Sequence, residues 1–294
     1  MAIRLVSGRF VIDIARSFFY SASLTGAKLY LRKNLNAVRR YPVELRHITS
    51  YLDNFLAIAE YSDDSLNGLQ VGNSGRIAKI GLAVDACQEA IEKARDAGCN
   101  LLIVHHGLLW GKQQPLIYNY YERVRSLIMA DMALYAAHLP LDGHPDVGHN
   151  IRIARAMDLQ PLEPFVQYAG SPLGIKGRLH KARACDQVCD DVKEVIGGCS
   201  ALITCGPAMI SSVAIVSGSA TFPELLWELK RQEIDLYITG EPKHGTYHLA
   251  REIGLNIFYG GHYRTETFGM RALGEHLEEK MGIPWEFIDA PCTL

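Results

Sequence analysis

Short, unbroken apolar runs alternate with amphipathic helical segments along most of this chain, and that alternation restricts the fold more than any other feature. After a helix with apolar residues at Leu45, Ile48, Leu52, Phe55, Leu56 and Ala59, the runs Ile77–Val84, Asn100–Val104 and Ala133–Ala137 read as strands. Helical patterns at Cys87–Ala97, Tyr120–Ala130 and Val147–Met157 lie between and after them. The alternation resumes with helices at Ala184–Ile196, Pro223–Arg231, Thr246–Ile253 and Thr265–Met281. Strands fall near Ala201–Thr204, Val213–Ser217, Asp235–Thr239, Asn256–Tyr259 and Trp285–Ile288. Strands that are apolar on both faces must be covered on both faces. The expected class is therefore α/β: two similar lobes with mainly parallel sheets covered by helices. Pro161, Pro164, Gly170, Pro172, Gly174 and Gly177 mark residues 161–177 as a connector between lobes at 43–160 and 178–294.

The two halves echo one another where their strands end. In the first, one strand runs into His105-His106-Gly107 and another into His138-x3-Asp142. In the second, Leu236–Thr239 runs into Gly240-Glu241 and His244-Gly245, and Ile257–Tyr259 runs into Gly260-Gly261-His262-x3-Glu266. Open α/β sheets form their ligand sites outside the carboxyl ends of the strands, so the fold itself would gather these groups. A lone histidine at a strand end is usually hydrogen-bonded or solvated, but His105, His106, Asp142, His262 and Glu266 together form a metal-ligand set. Imidazole and carboxylate suit zinc, iron, manganese or nickel alike. Consecutive strand residues point to opposite faces, so adjacent histidines fit one ligand for each of two nearby ions. His262-x3-Glu266 shares one helical face if a helix starts early, and Gly260-Gly261 permits unusual backbone angles there. His138, Glu241 and His244 occupy the same strand ends as orienting partners or proton carriers. His144 and His149 read as solvated residues flanking the Asp142 loop, Asn67-Gly68 as a tight turn, and Trp110 as a packed aromatic that could also stack a base.

Charge is unevenly spread. The first 40 residues hold eight Lys/Arg and one acid, a balance of +7, whereas the whole chain is -2 and the remaining 254 residues are therefore -9. That body offers nucleic acid little to bind. Residues 1–42 read as a basic extension, either a transit peptide or a tail added by an upstream start codon. Seven scattered cysteines without a Cys-x2-Cys pair argue against a structural zinc knot and fit free thiols in a reducing compartment: cytoplasmic, or mitochondrial if the leader is a transit peptide. The 29-residue uncharged run Val195–Pro223 is broken by glycine and proline and is expected to form strands and turns, with no association with membranes.

Five runs carry a resemblance: Asn67–Gly72, Leu101–Trp110, Ala137–Asp142, Ile238–Glu241 and Gly260–Glu266. Together they resemble the Nif-three-like family, also known as type 2 GTP cyclohydrolase I homologues, in its compact form without an inserted domain, over about Val43–Pro291. The resemblance implies a two-lobed fold with the metal site between the lobes, two divalent metal ions per chain, and a toroidal homohexamer. Its ligands carry over onto the same five residues, His105, His106, Asp142, His262 and Glu266. The implied activity is a metal-dependent hydrolase acting on a nucleotide or related small molecule. A metal-binding ring serving as scaffold, regulator or metal carrier is the alternative. Neither a Gly-x4-Gly-Lys-Ser/Thr loop nor a Gly-x-Gly-x2-Gly turn is present, so phosphates would rely on the metals or on Lys243 and Arg264.

Overall fold

The structure is a computed structural model that describes residues 3–6, 9–12 and 42–292 apart from 113 and 169. The chain divides into two units, Met1–Arg40 and Tyr41–Leu294. In the first, β1 (Ile3–Val6) and β2 (Arg9–Ile12) pair as an antiparallel hairpin. The rest of the expected transit peptide or tail lies outside the described residues.

The second unit holds two sheets. Its first half comprises β3 (Val43–Glu44), α1 (Leu45–Phe55), β4 (Gly68–Val71), β5 (Arg76–Ile77), β6 (Ile80–Asp85), α2 (Gln88–Asp96), β7 (Leu101–His106), α3 (Tyr118–Met129), β8 (Ala133–Ala136), α4 (Leu139–Asp142) and α5 (His149–Ala156). There follow β9 (Glu163–Tyr168), β10 (Ser171–Ala184), α6 (Cys185–Ile196), β11 (Ala201–Thr204), β12 (Met209–Ile215), α7 (Pro223–Arg231), β13 (Leu236–Thr239) and α8 (Tyr247–Ile253). The chain closes with β14 (Asn256–Tyr259), α9 (His262–Thr265), α10 (Thr267–Met281) and β15 (Trp285–Phe287).

The first sheet has the order β15-β6-β7-β8-β4 and is parallel except for its edge strand β4. Alternate residues of β7 show why its apolar run is unbroken. Leu101 and Ile103 pack with Ile48 and Leu52 of α1 and with Met270, Leu273 and Leu277 of α10. Leu102 and Val104 pack on the opposite face with Ala90 and Ile91 of α2 and Leu127 of α3. The second sheet, β11-β14-β13-β12-β10-β9, is likewise covered on both faces: α7 and α8 on one, α5 and α6 on the other. Its central β12-β13-β14 is parallel, while β9, β10 and β11 pair antiparallel at the edges. The two-lobed α/β class thus holds, with more antiparallel pairing in the second lobe than the sequence implies.

The lobe boundaries differ from those expected. Residues 161–177 are not a connector: β9 and β10 form the edge hairpin of the second sheet. Pro164 and Pro172 signal a loop in the sequence, yet proline is tolerated on an edge strand, where a ladder donor can be spared. The elements also cross over. Helix α5, from the first half, contributes Ile153 and Ala154 to the second lobe's core. Helix α10 and β15, from the end of the chain, complete the first lobe. The uncharged run Val195–Pro223 passes through β11 and β12, and among the described residues no helix is long and apolar enough to cross a membrane.

Candidate metal centre

The five expected ligands, scattered between positions 105 and 266 of the sequence, converge between the lobes. Strand β7 ends in His105 and His106, and β8 leads through His138 into α4, whose last residue is Asp142. In the other lobe β14 leads through Gly260-Gly261 into α9, which opens with His262 and stops at Glu266. Gly261 has φ +96°, the left-handed side of backbone space, and turns the chain off the sheet into that helix.

Glu266 is the hub. Its Oε1 lies 3.5 Å from His105 Nε2 and 3.0 Å from His262 Nε2, and its Oε2 lies 3.4 Å from His106 Nε2. Asp142 Oδ2 lies 3.5 Å from His105 Nε2, and Ser217 Oγ donates to Asp142 Oδ1 at 2.8 Å across the lobe boundary. Gly218 leaves the room this hub needs: a Cβ there would stand 2.3 Å from Glu266 Oε1.

Hydrogen bonding sets the direction of the imidazoles. Nδ1 of His105 meets the Ala137 carbonyl at 2.9 Å, that of His106 meets Asp85 at 2.9 Å, and that of His262 meets Glu241 at 3.2 Å. Nδ1 of His138 lies 2.9 Å from Asp63. Every one of these partners is an acceptor, so in each ring Nδ1 donates and a neutral ring keeps the Nε2 lone pair for the centre. Asn67 braces this arrangement, donating to Asp63 at 2.9 Å and accepting the His138 amide at 2.8 Å.

Electrostatics single out the same groups. Burial pushes Asp63 up, but hydrogen bonds from His138 and Asn67 outweigh it and hold the carboxyl at about 2. Burial likewise opposes ionisation of Glu266, but the neighbouring His105 and His106 hold it well below the usual carboxylate range. Asp142 is pushed up to about 7, first by burial and then by the charge of Glu266. His262 moves to about 9 because Glu266 and Glu241 overcome its burial.

Three overlapping sets of ligand atoms lie within 4.8 Å of one another and could hold a metal ion: His105, His106 and His138; His105, Asp142 and His149; and His106, His262 and Glu266. His105 Nε2, His149 Nε2 and Glu266 Oε2 are buried with no hydrogen-bonding partner. A buried lone pair without a partner costs about 1–3 kcal/mol, a deficit that a cation at His105 and Glu266 would remove. The donor set therefore fits metal binding. A cavity of about 430 Å³ opens onto these groups and is lined also by Trp110, Phe222 and Lys243. A larger one, about 650 Å³, lies behind Asp142 against Tyr61 and Pro172. Its one imidazole, His144, has both nitrogens bonded, so the chemistry belongs to the smaller cavity.

Several secondary expectations change. Glu241 and His138 do orient or adjoin the cluster, but His244 is exposed and outside the cavity lining, because a short 3-10 turn at His244–Thr246 carries it away. His144 is buried rather than solvated and holds the Asp142 loop to α1 through the Phe55 carbonyl at 3.0 Å. His149 is fully buried, its ring centroid 4.7 Å from that of His105. Burial, reinforced by His105, holds it well below the usual imidazole range. Asp63 and Asp85 were not anticipated. Asp85 had a signal, since β6 ends there beside His106 in parallel register; Asp63, in a turn of four polar residues, had none.

Comparison with known proteins gives the family of the chain. The family model for Duf34/NIF3 (NGG1p interacting factor 3) matches residues 43–292. A Deinococcus radiodurans protein named GTP cyclohydrolase 1 type 2 homolog is 39% identical over 247 residues, covering 84% of this chain and 93% of the relative. A protein of the same name from Archaeoglobus fulgidus is 39% identical over 252 residues, covering 86% of this chain and all of the relative. The solved structure of TTHA1606 from Thermus thermophilus superposes with a TM-score of 0.78 at 40% identity, over 86% of this chain and 100% of that one. With its matching residues spanning both lobes and every group of the centre, the chain belongs to the Duf34/NIF3 family.

Proposed function

We propose that the chain is a divalent-metal-dependent hydrolase of the type 2 GTP cyclohydrolase I kind, holding two cations and acting on a nucleotide or related small molecule. One observation carries the reading: Glu266 meets imidazoles through both carboxylate oxygens, Oε1 toward His105 and His262 and Oε2 toward His106. His105 and Asp142 would serve one cation, His106 and His262 the other, and Glu266 both. Bound there, the cations supply Lewis-acid polarisation and a water that ionises near neutral pH. The names of the relatives support the same class.

The chain's own groups have definite tasks in this reading. His138, held by ionised Asp63, presents an Nε2 lone pair as proton acceptor at the cavity wall. Lys243 supplies a cation for an anionic substrate at the same cavity, and Trp110, fixed by donation to the Gly107 carbonyl at 2.7 Å, offers a ring edge. Protein purified without chelator is expected to carry about two ions per chain by elemental analysis, as a two-metal site requires. Incubated with GTP and a nucleotide panel, it is expected to release formate or phosphate, and His105→Ala to abolish this. Full metal loading without turnover on any member would replace the enzyme with the scaffold or carrier reading.

The hexameric ring and a cytoplasmic location belong to this proposal. Support for self-association comes from Leu116, Ile117, Tyr118, Tyr121, Ile128 and Met129, all exposed on or beside α3. Apolar groups crowded on one surface element mark an association face. Light scattering is expected to give a mass near six chains, and a monomer at micromolar concentration would exclude the ring.

A further inference from the structure

His149 differs from the other imidazoles of the centre in which nitrogen holds its proton. It opens α5, and its Nδ1 accepts the Gly269 amide N–H at 2.9 Å. Gly269 lies in the first turn of α10, where backbone amides have no partner within the helix. The approach requires glycine, because a Cβ at 269 would stand 2.8 Å from Nδ1. A backbone amide can only donate, so Nδ1 must carry its lone pair, and a neutral ring then has its hydrogen on Nε2. That Nε2 is buried without a partner, and His149 offers a ring nitrogen within 4.8 Å of ligand atoms of His105 and Asp142; with Nδ1 taken by Gly269, Nε2 is the nitrogen left to act there. A metal ligand needs an unprotonated nitrogen there. His105, His106, His138 and His262 have the opposite arrangement, with Nδ1 donating outward.

We infer that His149 takes no metal and that its Nε2–H is a fixed hydrogen-bond donor to a one-atom anion, of the hydroxide or fluoride class, beside His105 and Asp142. The size limit follows from closure: His105 and His149 are fully buried, and neither lines the 430 Å³ cavity. The inference rests on the metal-centre reading, whose cations would balance the negative charge of Asp142 and of the anion. It makes His149 a positioning residue, set in place by the amino end of α10, whose later turns build the first lobe's core.

Solid-state nitrogen NMR of the full chain with labelled histidine tests the assignment in metal-free protein and again after loading with cadmium-113. The expected result is an Nε2–H tautomer at His149 in both states and no coupling of cadmium to its nitrogens. An Nδ1–H tautomer, or cadmium coupling at His149, would overturn the inference. Because the metal-free tautomer is read without any cation, it decides which nitrogen of His149 holds the proton even if the protein binds no metal and the hydrolase reading fails, and so separates the two failures. Fluoride titration of zinc-loaded protein supplies the second arm. His149→Leu is expected to keep its metal content and lose roughly tenfold or more in fluoride affinity, the scale of one hydrogen bond to a charged group. His149→Gln, which keeps an N–H donor and an acceptor for Gly269, is expected to recover most of that loss. Equal fluoride affinity in all three, or loss of one metal equivalent in His149→Gln, would also overturn it; should the leucine variant not fold, the tautomer and the glutamine variant still decide.

Discussion

Glu266→Gln is expected to weaken metal binding by at least about a hundredfold and to remove turnover with it. The side chain contacts three imidazoles through two oxygens, so the substitution withdraws the negative charge shared by both halves of the centre and turns one of the two oxygens into an amide NH2 that cannot bind a cation. Orienting partners such as Asp85 act only through the histidine they hold, and loss of such a partner typically costs about 10–100-fold in affinity. A residue in direct contact with both halves must cost more than that, so Asp85→Asn provides the internal scale. Asp85→Asn should keep the native stoichiometry with weaker binding, while Glu266→Gln should lose ions on simple dialysis. Competition titration against a chromophoric chelator measures both. Native affinity in Glu266→Gln would remove Glu266 from the centre and, with it, the two-cation reading.

Most of the fold was legible because strands buried on both faces cannot hide their composition. Ala201–Thr204, Pro223–Arg231 and Asn256–Tyr259 keep their expected bounds, since apolar content and flanking turn residues agree there. The centre was legible for a related reason: a parallel sheet collects its strand ends, and five ligand-type residues followed strands. What escaped depends on contacts that sequence distance conceals. His149 meets Gly269 across 120 positions, and nothing local to residue 149 announces that an incoming helix will cap itself on that ring. Asp63 reaches His138 across 75 positions from a stretch whose composition says only turn. The β9–β10 hairpin was hidden by proline and glycine, which mark loops and edge strands alike. His244 shows the converse error, a residue with the right local pattern that a short turn carries out of reach.

Raising the pH from about 5 to about 9 is expected to widen the gap between the melting temperatures of metal-loaded and chelator-treated protein, by proton linkage at two groups of the centre. Without a cation, Asp142 stands at about 7 against an ordinary value of 3.8, and His262 at about 9 against 6.5. Both folded-state values are raised. Such a group contributes its full stability below the unfolded value and loses it as pH climbs through the folded one. Asp142 thus withdraws stability from the metal-free protein between 3.8 and about 7, and His262 between 6.5 and about 9. Glu266 runs the other way, since its folded value is depressed, but its window lies below 4.5 and does not enter this range. Cations bind only after both protons have left, so affinity rises by up to about tenfold per pH unit for each proton displaced. Every tenfold adds about 1.4 kcal/mol to the loaded form, or roughly 2–3 °C for a chain of this length. Calorimetric scans of paired zinc and chelator samples at unit pH steps measure the gap directly. A gap that stays level or narrows with rising pH would mean that neither proton is displaced, and that the cations sit elsewhere than at Asp142 and His262.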